Sequence, residues 1–186
     1  DCMAYSVGFR APARPDLLVE WADHCAAQMP DDALYADPDL RPAAHPGEIA
    51  PAAIDRLHAM TIDALQDRDA FAAWFGQHVT TPKYPDADWR PDAPFTAADI
   101  GALLAEGATL LRNPASRIAF LRRGEDDLLL FADGAAFPCA ADVAALAERL
   151  SAQDQLVLAP AMAPGADLLA ALLNQGSLLV EEPDED

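Results

Sequence analysis

Two consecutive amphipathic helices are the clearest elements that the hydrophobic pattern predicts, over residues 51–66 and 69–80. In each segment the apolar residues recur every three or four positions and therefore fall on one helical face. They are Ile54, Leu57, Ile62 and Leu65 in the first helix and Phe71, Trp74, Phe75 and Val79 in the second. Asp67-Arg68-Asp69 lies between the two helices and is short enough for a tight connection with an Asp as N-cap. Because neither helix can bury its apolar face alone, we expect both to pack on neighbouring helices, on the segment that follows or on a second copy of the chain.

A β-strand is predicted at the start of the chain, over residues 1–10, because the side chains alternate in character there. One face would carry Met3, Tyr5, Val7 and Phe9, and the other would carry Ala4, Ser6 and Gly8. The second face is small and leaves room for a ligand or a close backbone. No further strand is predicted before about residue 107, and a lone strand is not stable. We therefore expect the chain to begin inside a larger domain.

One helix and one long loop are predicted between this strand and the helix pair. Pro15 and Asp16 suit the first turn of a helix that runs to about Met29. Its buried side would carry Leu17, Leu18, Trp21 and Cys25. Residues 30–50 are rich in Pro and Asp and lack periodicity. An ordered loop of this length is uncommon and usually wraps a neighbour.

The C-terminal half predicts a small α+β domain of the winged-helix type. Prolines cluster in residues 81–94, so residues 83–94 are the predicted linker, and Thr96 with Asp99 forms a capping-box start for a helix through Leu104. Strands follow at about 107–112, 116–122 and 127–132, then helices at 140–150 and 167–174, and a last strand at 177–180. Helix, strands, two helices and a strand in about this order suit a winged-helix-like domain over residues 95–180. Residues 181–186 form an acidic tail.

The charge balance favours protein partners over nucleic acid. The chain has 31 acidic and 12 basic residues and a net charge of −19, which repels a duplex and attracts a basic partner. The bland alternative is that the acidity only keeps the surface hydrated. A DNA-binding winged helix needs a basic recognition helix, and residues 140–150 offer only Arg149 against Asp142 and Glu148.

No membrane span and no disulfide framework are predicted. The longest apolar runs fall short of the roughly 20 residues that cross a bilayer. Cys2, Cys25 and Cys139 are odd in number and far apart, which is typical of reduced thiols in a cytoplasm.

No complete catalytic or metal-binding pattern appears among the reactive side chains. The histidines, His24, His45, His58 and His78, show no His-x-Asp, His-x-His or His-Glu-x-x-His spacing, so structural roles are favoured. Cys25 is expected to be a packed thiol. Cys139 lies near the predicted start of a helix, where a thiol pKa is lowered, but without a histidine partner a structural role is favoured. Gly124 and Gly134 are read as turn glycines, and the three tryptophans as core or interface residues.

Several blocks of the sequence resemble a known family. They are Tyr5-Ser6-Val7-Gly8-Phe9-Arg10-Ala11-Pro12, Tyr35-Ala36-Asp37-Pro38-Asp39-Leu40, His45-Pro46, Trp74-Phe75-Gly76 and, less specifically, Leu172-Leu173-Asn174-Gln175-Gly176. In this order they resemble the C-terminal half of bacterial JmjC/cupin ribosomal oxygenases, which include an arginine hydroxylase acting on a large-subunit ribosomal protein. The blocks of the first 80 residues carry most of the resemblance.

The resemblance implies a layout of barrel, dimerisation region and winged helix. Residues 1–12 would be the last strand of the cupin/JmjC barrel and residues 13–82 a helical dimerisation region. The family's Fe(II) ligands, a His-x-Asp and a later His, precede the matched strand, so this chain alone is expected to hold no metal ligand and no catalytic residue and to be inactive. Ala4 and Ser6 would face the barrel interior near 2-oxoglutarate. Leu57, Trp74 and Phe75 would be core or dimer-interface residues.

Two hypotheses remain open at this point. In the first, the chain is the dimerisation and winged-helix part of a cytoplasmic 2-oxoglutarate- and Fe(II)-dependent hydroxylase, a homodimer whose acidic surface attracts a basic ribosomal-protein substrate. In the second, it is a stand-alone acidic protein-interaction module without catalysis. Direct binding of nucleic acid or of a membrane is not expected in either.

Overall fold

The computed structural model describes residues 12–36, 38, 45–83 and 88–181. The predicted strand over residues 1–10, with Ala4 and Ser6, lies outside the described residues, as does the acidic tail after Glu181. The chain divides into two compact units, residues 1–71 and residues 72–186, which are described separately below. The predicted domain limits at residues 12, 82 and 94 stay predictions.

The first unit is helical, as its hydrophobic periodicity predicts. It contains α1 (Arg14–Ala27), α2 (Pro51–Asp63) and the first residues of α3 (Arg68–Thr80). Proline stands in the first turn of both α1 and α2, where its missing N–H costs no hydrogen bond. The Asp67 carboxylate accepts hydrogen bonds from the amides of Asp69 and Ala70, at 3.0 and 2.9 Å, so the predicted aspartate N-cap is confirmed and is Asp67.

Trp21 of α1 is the residue that holds the described part of the first unit together. Its indole Nε1 donates to the carbonyl of Leu65 at 3.2 Å, and its ring meets Phe71 edge to face at 5.3 Å between centroids. His24, one turn further along α1, stacks on the same ring at 5.5 Å. Among residues 12–36, 38 and 45–71, Trp21 is the only buried side chain. Within these ranges a single aromatic side chain therefore forms the buried core.

The second unit has the element order expected of a winged-helix-like domain, and it begins with the second half of α3. Its further elements, in chain order, are α4 (Ala97–Glu106), β1 (Thr109–Arg112), β2 (Ile118–Arg122), β3 (Asp127–Ala132), β4 (Ala135–Ala140), α5 (Asp142–Ala152), β5 (Gln155–Val157), a 3₁₀ segment (Pro160–Gly165), α6 (Ala166–Asn174) and β6 (Leu178–Val180). The strands form two antiparallel sheets, ordered β5-β1-β6 and β2-β3-β4. The prediction of an α+β fold is confirmed for the described residues.

Two strands were missed by the sequence pattern, β4 and β5. After β3 the chain reverses through Asp133 and Gly134, whose φ angles of 50° and 85° make a tight two-residue hairpin turn. Residues 135–140 therefore continue the sheet, and the helix predicted from Ala140 begins at Asp142 instead. Pro138 and the small residues of β4 hide its strand character, and they are tolerated because β4 is an edge strand.

β3 lies at the centre of the second unit because both of its faces are buried. Leu128 and Leu130 point into the main core with the buried leucines of α5 and α6. Phe131 points the other way, and its ring packs closely against Gly76 of α3. A Cβ atom added at Gly76 would lie only 2.2 Å from the ring. A strand buried on both faces reads as a continuous apolar run rather than an alternating one, which is the pattern of Leu128 to Ala132.

The close approach of Gly76 to Phe131 yields the first prediction. Gly76→Ala should lower the free energy of unfolding by about 1–3 kcal/mol, because Phe131 is fully buried and has no room to withdraw from the added methyl group. Urea denaturation followed by circular dichroism measures the change. The matched control is Gly101→Ala in α4, where open space surrounds the new methyl group, and this variant should be neutral or more stable by up to about 1 kcal/mol. Equal effects at the two positions would contradict the packing described here.

The predicted capping box at the start of α4 is confirmed. The Thr96 hydroxyl accepts a hydrogen bond from the Asp99 amide, and the Asp99 carboxylate accepts from both the hydroxyl and the amide of Thr96, at 2.6 and 2.7 Å. Both hydrogen bonds stabilise the charged form of the Asp99 carboxylate, so they lower the pKa of Asp99 below its ordinary value. The bond from the Thr96 hydroxyl has the larger effect, and the bond from the Thr96 amide the smaller.

A pH dependence of stability follows from this capping box. The pKa of Asp99 is lower in the folded chain than in the unfolded chain. The ionised Asp99 carboxylate therefore stabilises the fold fully at a pH above its unfolded pKa, and this stabilisation is lost as the pH falls through its folded pKa. Thr96→Ala should return the pKa of Asp99 towards its ordinary range, and an NMR titration of the side-chain carboxyl carbons measures this shift. An unchanged Asp99 titration in the Thr96→Ala chain would rule out the hydroxyl as the cause.

Candidate functional site

The first candidate site is an apolar face on α2 of the first unit. None of the 13 residues of α2 is buried. Ile54, Leu57 and Met60 are spaced three residues apart and are exposed to 50, 38 and 48%. These three residues, called the α2 apolar face below, share one side of the helix, whereas Asp55, Ala59 and Asp63 share the other. Such a contiguous exposed apolar face is typical of a protein interface.

Trp74 and Phe75, the other predicted interface residues, lie in α3 within the second unit. The Trp74 side chain is 8% exposed, and its ring stacks on His78 at 5.1 Å between centroids. Phe75 is half-buried and lies 6.4 Å from both rings. The structure therefore brings Trp74, Phe75 and His78 together in one aromatic cluster, and their role in an interface stays a prediction.

A polar bridge joins the two sheets of the second unit. The Ser177 hydroxyl, just before β6, donates to Asp133 at the end of β3 at 2.5 Å, and Gln175 donates to the same hydroxyl at 2.6 Å. Asn113, 1% exposed at the end of β1, donates to the Gly176 carbonyl at 2.9 Å and accepts from the Ala115 amide. These hydrogen bonds satisfy the polar groups at this end of the domain and hold the turns after β1, β3 and α6 together.

The second candidate site is a groove above this polar bridge, with a volume of about 590 Å³. Three stretches and three single residues line it. They are Pro82–Lys83, Asp88–Arg90, Pro114–Arg117, Asp133, Gln175 and Gly176. Trp89 offers the most exposed of the three indoles, 51% exposed, and its backbone closely approaches Gly176, whose φ is +82°. No sequence pattern indicates this groove, because its residues come from turns that are distant in the chain.

Basic side chains are concentrated in the groove although the chain as a whole is acidic. Lys83, Arg90 and Arg117 line it beside two acids. Asp88 is engaged by Arg90 through two hydrogen bonds of 2.8 Å, and these lower the pKa of Asp88 to about 2. Asp133 is engaged in the polar bridge and accepts from the Arg117 amide at 2.9 Å. Both carboxylates therefore already have partners within the domain.

Burial raises the pKa of both thiols in the described part of the chain, Cys25 and Cys139. Cys139 lies buried in β4, and burial raises its pKa, so the expectation of a pKa lowered by a helix N-terminus was wrong. Burial, followed by the nearby Asp67 carboxylate, also raises the pKa of Cys25. Within residues 12–36, 38, 45–83 and 88–181, no group of three or more His, Cys, Asp or Glu side chains is placed to hold a metal ion.

The candidate recognition helix, α5, carries two acidic residues and one basic residue. On α5, Glu148 pairs with Arg122 of β2 at 2.5 Å, and Asp142 stands in the first turn. As for membranes, no helix within the described part of the chain is both long and apolar enough to cross a bilayer.

Comparison with known proteins identifies a domain family and several related structures. A family model described as ROXA-like winged helix matches residues 63–179. The ribosomal protein uL16 3-hydroxylase of Escherichia coli (strain K12) is 32% identical over 126 residues, which are 68% of this chain and 33% of that protein.

Solved structures of the E. coli ribosomal oxygenase YcfD are similar along most of the chain. The structure in complex with cobalt and succinic acid matches 95% of this chain and 48% of that protein with a TM-score of 0.75 and 27% identity. The complex with cobalt and 2-oxoglutarate matches with the same coverage and TM-score and 26% identity. The chain thus spans about a third of the length of the curated relative and about half of the solved structures.

Proposed function

Because this chain belongs to the ROXA-like winged-helix family, we propose that it is the C-terminal dimerisation and winged-helix part of a 2-oxoglutarate- and Fe(II)-dependent hydroxylase of a ribosomal protein. The observation that carries the proposal is the match over 95% of the chain to structures of a ribosomal oxygenase. Hydroxylation of an arginine side chain in the cytoplasm is the specific reaction we infer from the resemblance of the sequence blocks to the arginine hydroxylase.

The iron chemistry would belong to a part of the parent protein outside the described residues. Within the described ranges, no group of three or more His, Cys, Asp or Glu side chains is placed to hold a metal ion, and we assign no reaction step to these residues. Ala4 and Ser6 remain proposed as barrel-interior residues near 2-oxoglutarate, on the strength of the resemblance alone.

Dimerisation is the role we propose for the helical region before the winged helix. The described part of the first unit has one buried side chain, and the residues of its α2 apolar face are 38 to 50% exposed. A two-fold interface brings the same patch of both subunits together, so one apolar helix face can bury itself against its copy. Leu57 lies within this face, and Trp74 and Phe75 would support it as core or interface residues.

The charge of the chain suits the proposed substrate class. A net charge of −19 gives a field that attracts a basic ribosomal protein and repels nucleic acid at low ionic strength. The acidic surface would therefore help to bring the substrate to the enzyme, whereas the groove of the second unit is locally more basic.

The proposed enzymatic role predicts a measurable hydroxylation. The protein expressed from the complete gene, incubated with Fe(II), 2-oxoglutarate and ribosomal protein uL16 of the same organism, should add one oxygen atom to an arginine side chain. Tandem mass spectrometry locates the modified residue, and omission of 2-oxoglutarate is the control. If the codons before Asp1 encode no His-x-Asp and later His, and no oxygen is added, the chain is instead a stand-alone acidic interaction module.

The proposed dimer predicts that a charge on the α2 apolar face separates the subunits. Leu57→Glu should convert the chain from dimer to monomer, because two carboxylates would be buried without partners at a two-fold interface. Size-exclusion chromatography with light scattering gives the mass. Ala59→Glu is the matched control, because it adds the same charge on the polar side of the same helix and should leave the dimer intact. A monomeric unmodified chain would exclude this role for α2.

A further inference from the structure

Among the arginines of the second unit, Arg117 and Arg149 have no carboxylate partner within the described residues, and Arg117 is the one that lines the groove. Arg90, Arg112, Arg122 and Arg123 are each paired, with Asp88, Asp154, Glu148 and Asp127. Within the described residues, the Arg117 guanidinium makes only a hydrogen bond to the carbonyl of Thr81 at 3.3 Å. In a chain with 31 acids against 12 bases, an exposed arginine without an acidic partner is notable.

The backbone around Arg117 is held in place by Asp133. The Arg117 amide donates to the Asp133 carboxylate at 2.9 Å, and the Arg117 carbonyl accepts from the Asp133 amide at 3.1 Å. Asp133 is itself fixed by the polar bridge through Ser177. The side chain of Arg117 therefore extends from a fixed backbone position, and its planar guanidinium can bind a carboxylate with two parallel hydrogen bonds.

The side chains of Gln175 and Ser116 in the groove can form hydrogen bonds with the backbone of a bound peptide. Gln175 uses its amide nitrogen to donate to Ser177 and to the carbonyl of Ala132, which leaves its side-chain oxygen as an acceptor for a backbone N–H. The Ser116 hydroxyl can donate or accept in the same groove. A peptide segment brings both a donor and an acceptor at every residue.

The walls of the groove are apolar and suit a side chain next to the carboxylate. The Trp89 ring is half exposed, and Pro82 and Pro114 lie with it along the groove. An exposed indole beside proline rings contributes apolar contact area at little cost in side-chain entropy. The volume of about 590 Å³ is within the range of sites that bind a small segment.

We propose that this groove binds a short peptide segment of a partner protein, with a carboxylate of that segment on the Arg117 guanidinium and an apolar residue against Trp89. The complementary charge of Arg117 is the argument for a carboxylate. A long nucleic acid would place many phosphates in the field of a chain with a net charge of −19, whereas a short peptide brings only one or two negative charges. The site is separate from the hydroxylase role proposed above and does not depend on it.

Selection from random peptides displayed on phage tests this proposal with the complete 186-residue chain as bait. Peptides that bind should be enriched in Asp or Glu next to an apolar residue. Replacing that Asp or Glu by Asn or Gln in the selected peptide should weaken binding by about tenfold or more, as the loss of a charge-assisted pair predicts. Quenching or a shift of Trp fluorescence, absent in Trp89→Phe, places the bound peptide at the groove.

Variants of the protein separate a binding role of Arg117 from a structural one. Arg117→Gln should lose about tenfold or more in affinity for the selected peptide, and Arg117→Lys should recover part of it, because a lysine keeps the charge but loses the planar fork. Arg123→Gln is the matched control, since this arginine lies on the same hairpin and pairs with Asp127. Urea melts establish that the variants are folded. If Arg117→Gln does not fold, the unchanged chain is tested with the peptide in which Asn or Gln replaces the acidic residue. Loss of binding then supports the proposal, and unchanged binding contradicts it.

Three results would overturn the proposal. The first is a selection without enrichment of acidic residues. The second is a peptide affinity that survives Arg117→Gln in a folded protein. The third is tighter, Arg117-dependent binding of an oligouridylate than of any selected peptide, because the groove would then be a nucleic-acid site.

Discussion

The architecture of the second unit depends on the burial of β3 on both faces. One face carries Leu128 and Leu130 into the core of the winged-helix domain, and the other carries Phe131 against the backbone of α3 at Gly76. A glycine at that point lets a helix approach a phenylalanine ring more closely than any other residue allows. The second half of α3 is thereby part of the winged-helix domain, and the family model likewise includes it, since it begins at residue 63. Without this contact the hairpin of β3 and β4 would present an aromatic face to water.

Much of the fold could be predicted from the sequence, and what could not has physical reasons. Helical periodicity, the Asp67 N-cap and the capping box of Thr96 are local signals, and the structure confirms them. β4 was missed because Pro138 and small residues conceal a strand whose pairing is enforced by the Asp133–Gly134 turn. β5 was missed because three residues are too few to show alternation. The pKa of Cys139 was misjudged because its sign depends on burial in a strand that the pattern did not reveal.

Of the candidate sites, sequence reasoning found the one built from a single helix and missed the one built from several turns. Leu57 was recognisable because its apolar neighbours follow helical spacing, and it lies on the exposed α2 apolar face. The groove around Arg117 draws on residues from Pro82 to Gly176, which only the folded chain brings together. The block Asn174-Gln175-Gly176, noted for its resemblance, has three structural uses: Asn174 binds both the amide and the carbonyl of Phe95, Gln175 joins the polar bridge and Gly176 lies against Trp89.

The reliance of the first unit on Trp21 has a consequence for the life of the protein in a cell. Helices anchored by one aromatic ring open locally at a small fraction of the free energy that a leucine-rich core requires. Proteases cleave such open states, and the rate follows the population that is open at any moment. The helices around Trp21 would therefore be cut before the leucine-rich core of the second unit opens, so the turnover of the protein in a cell would begin at this segment.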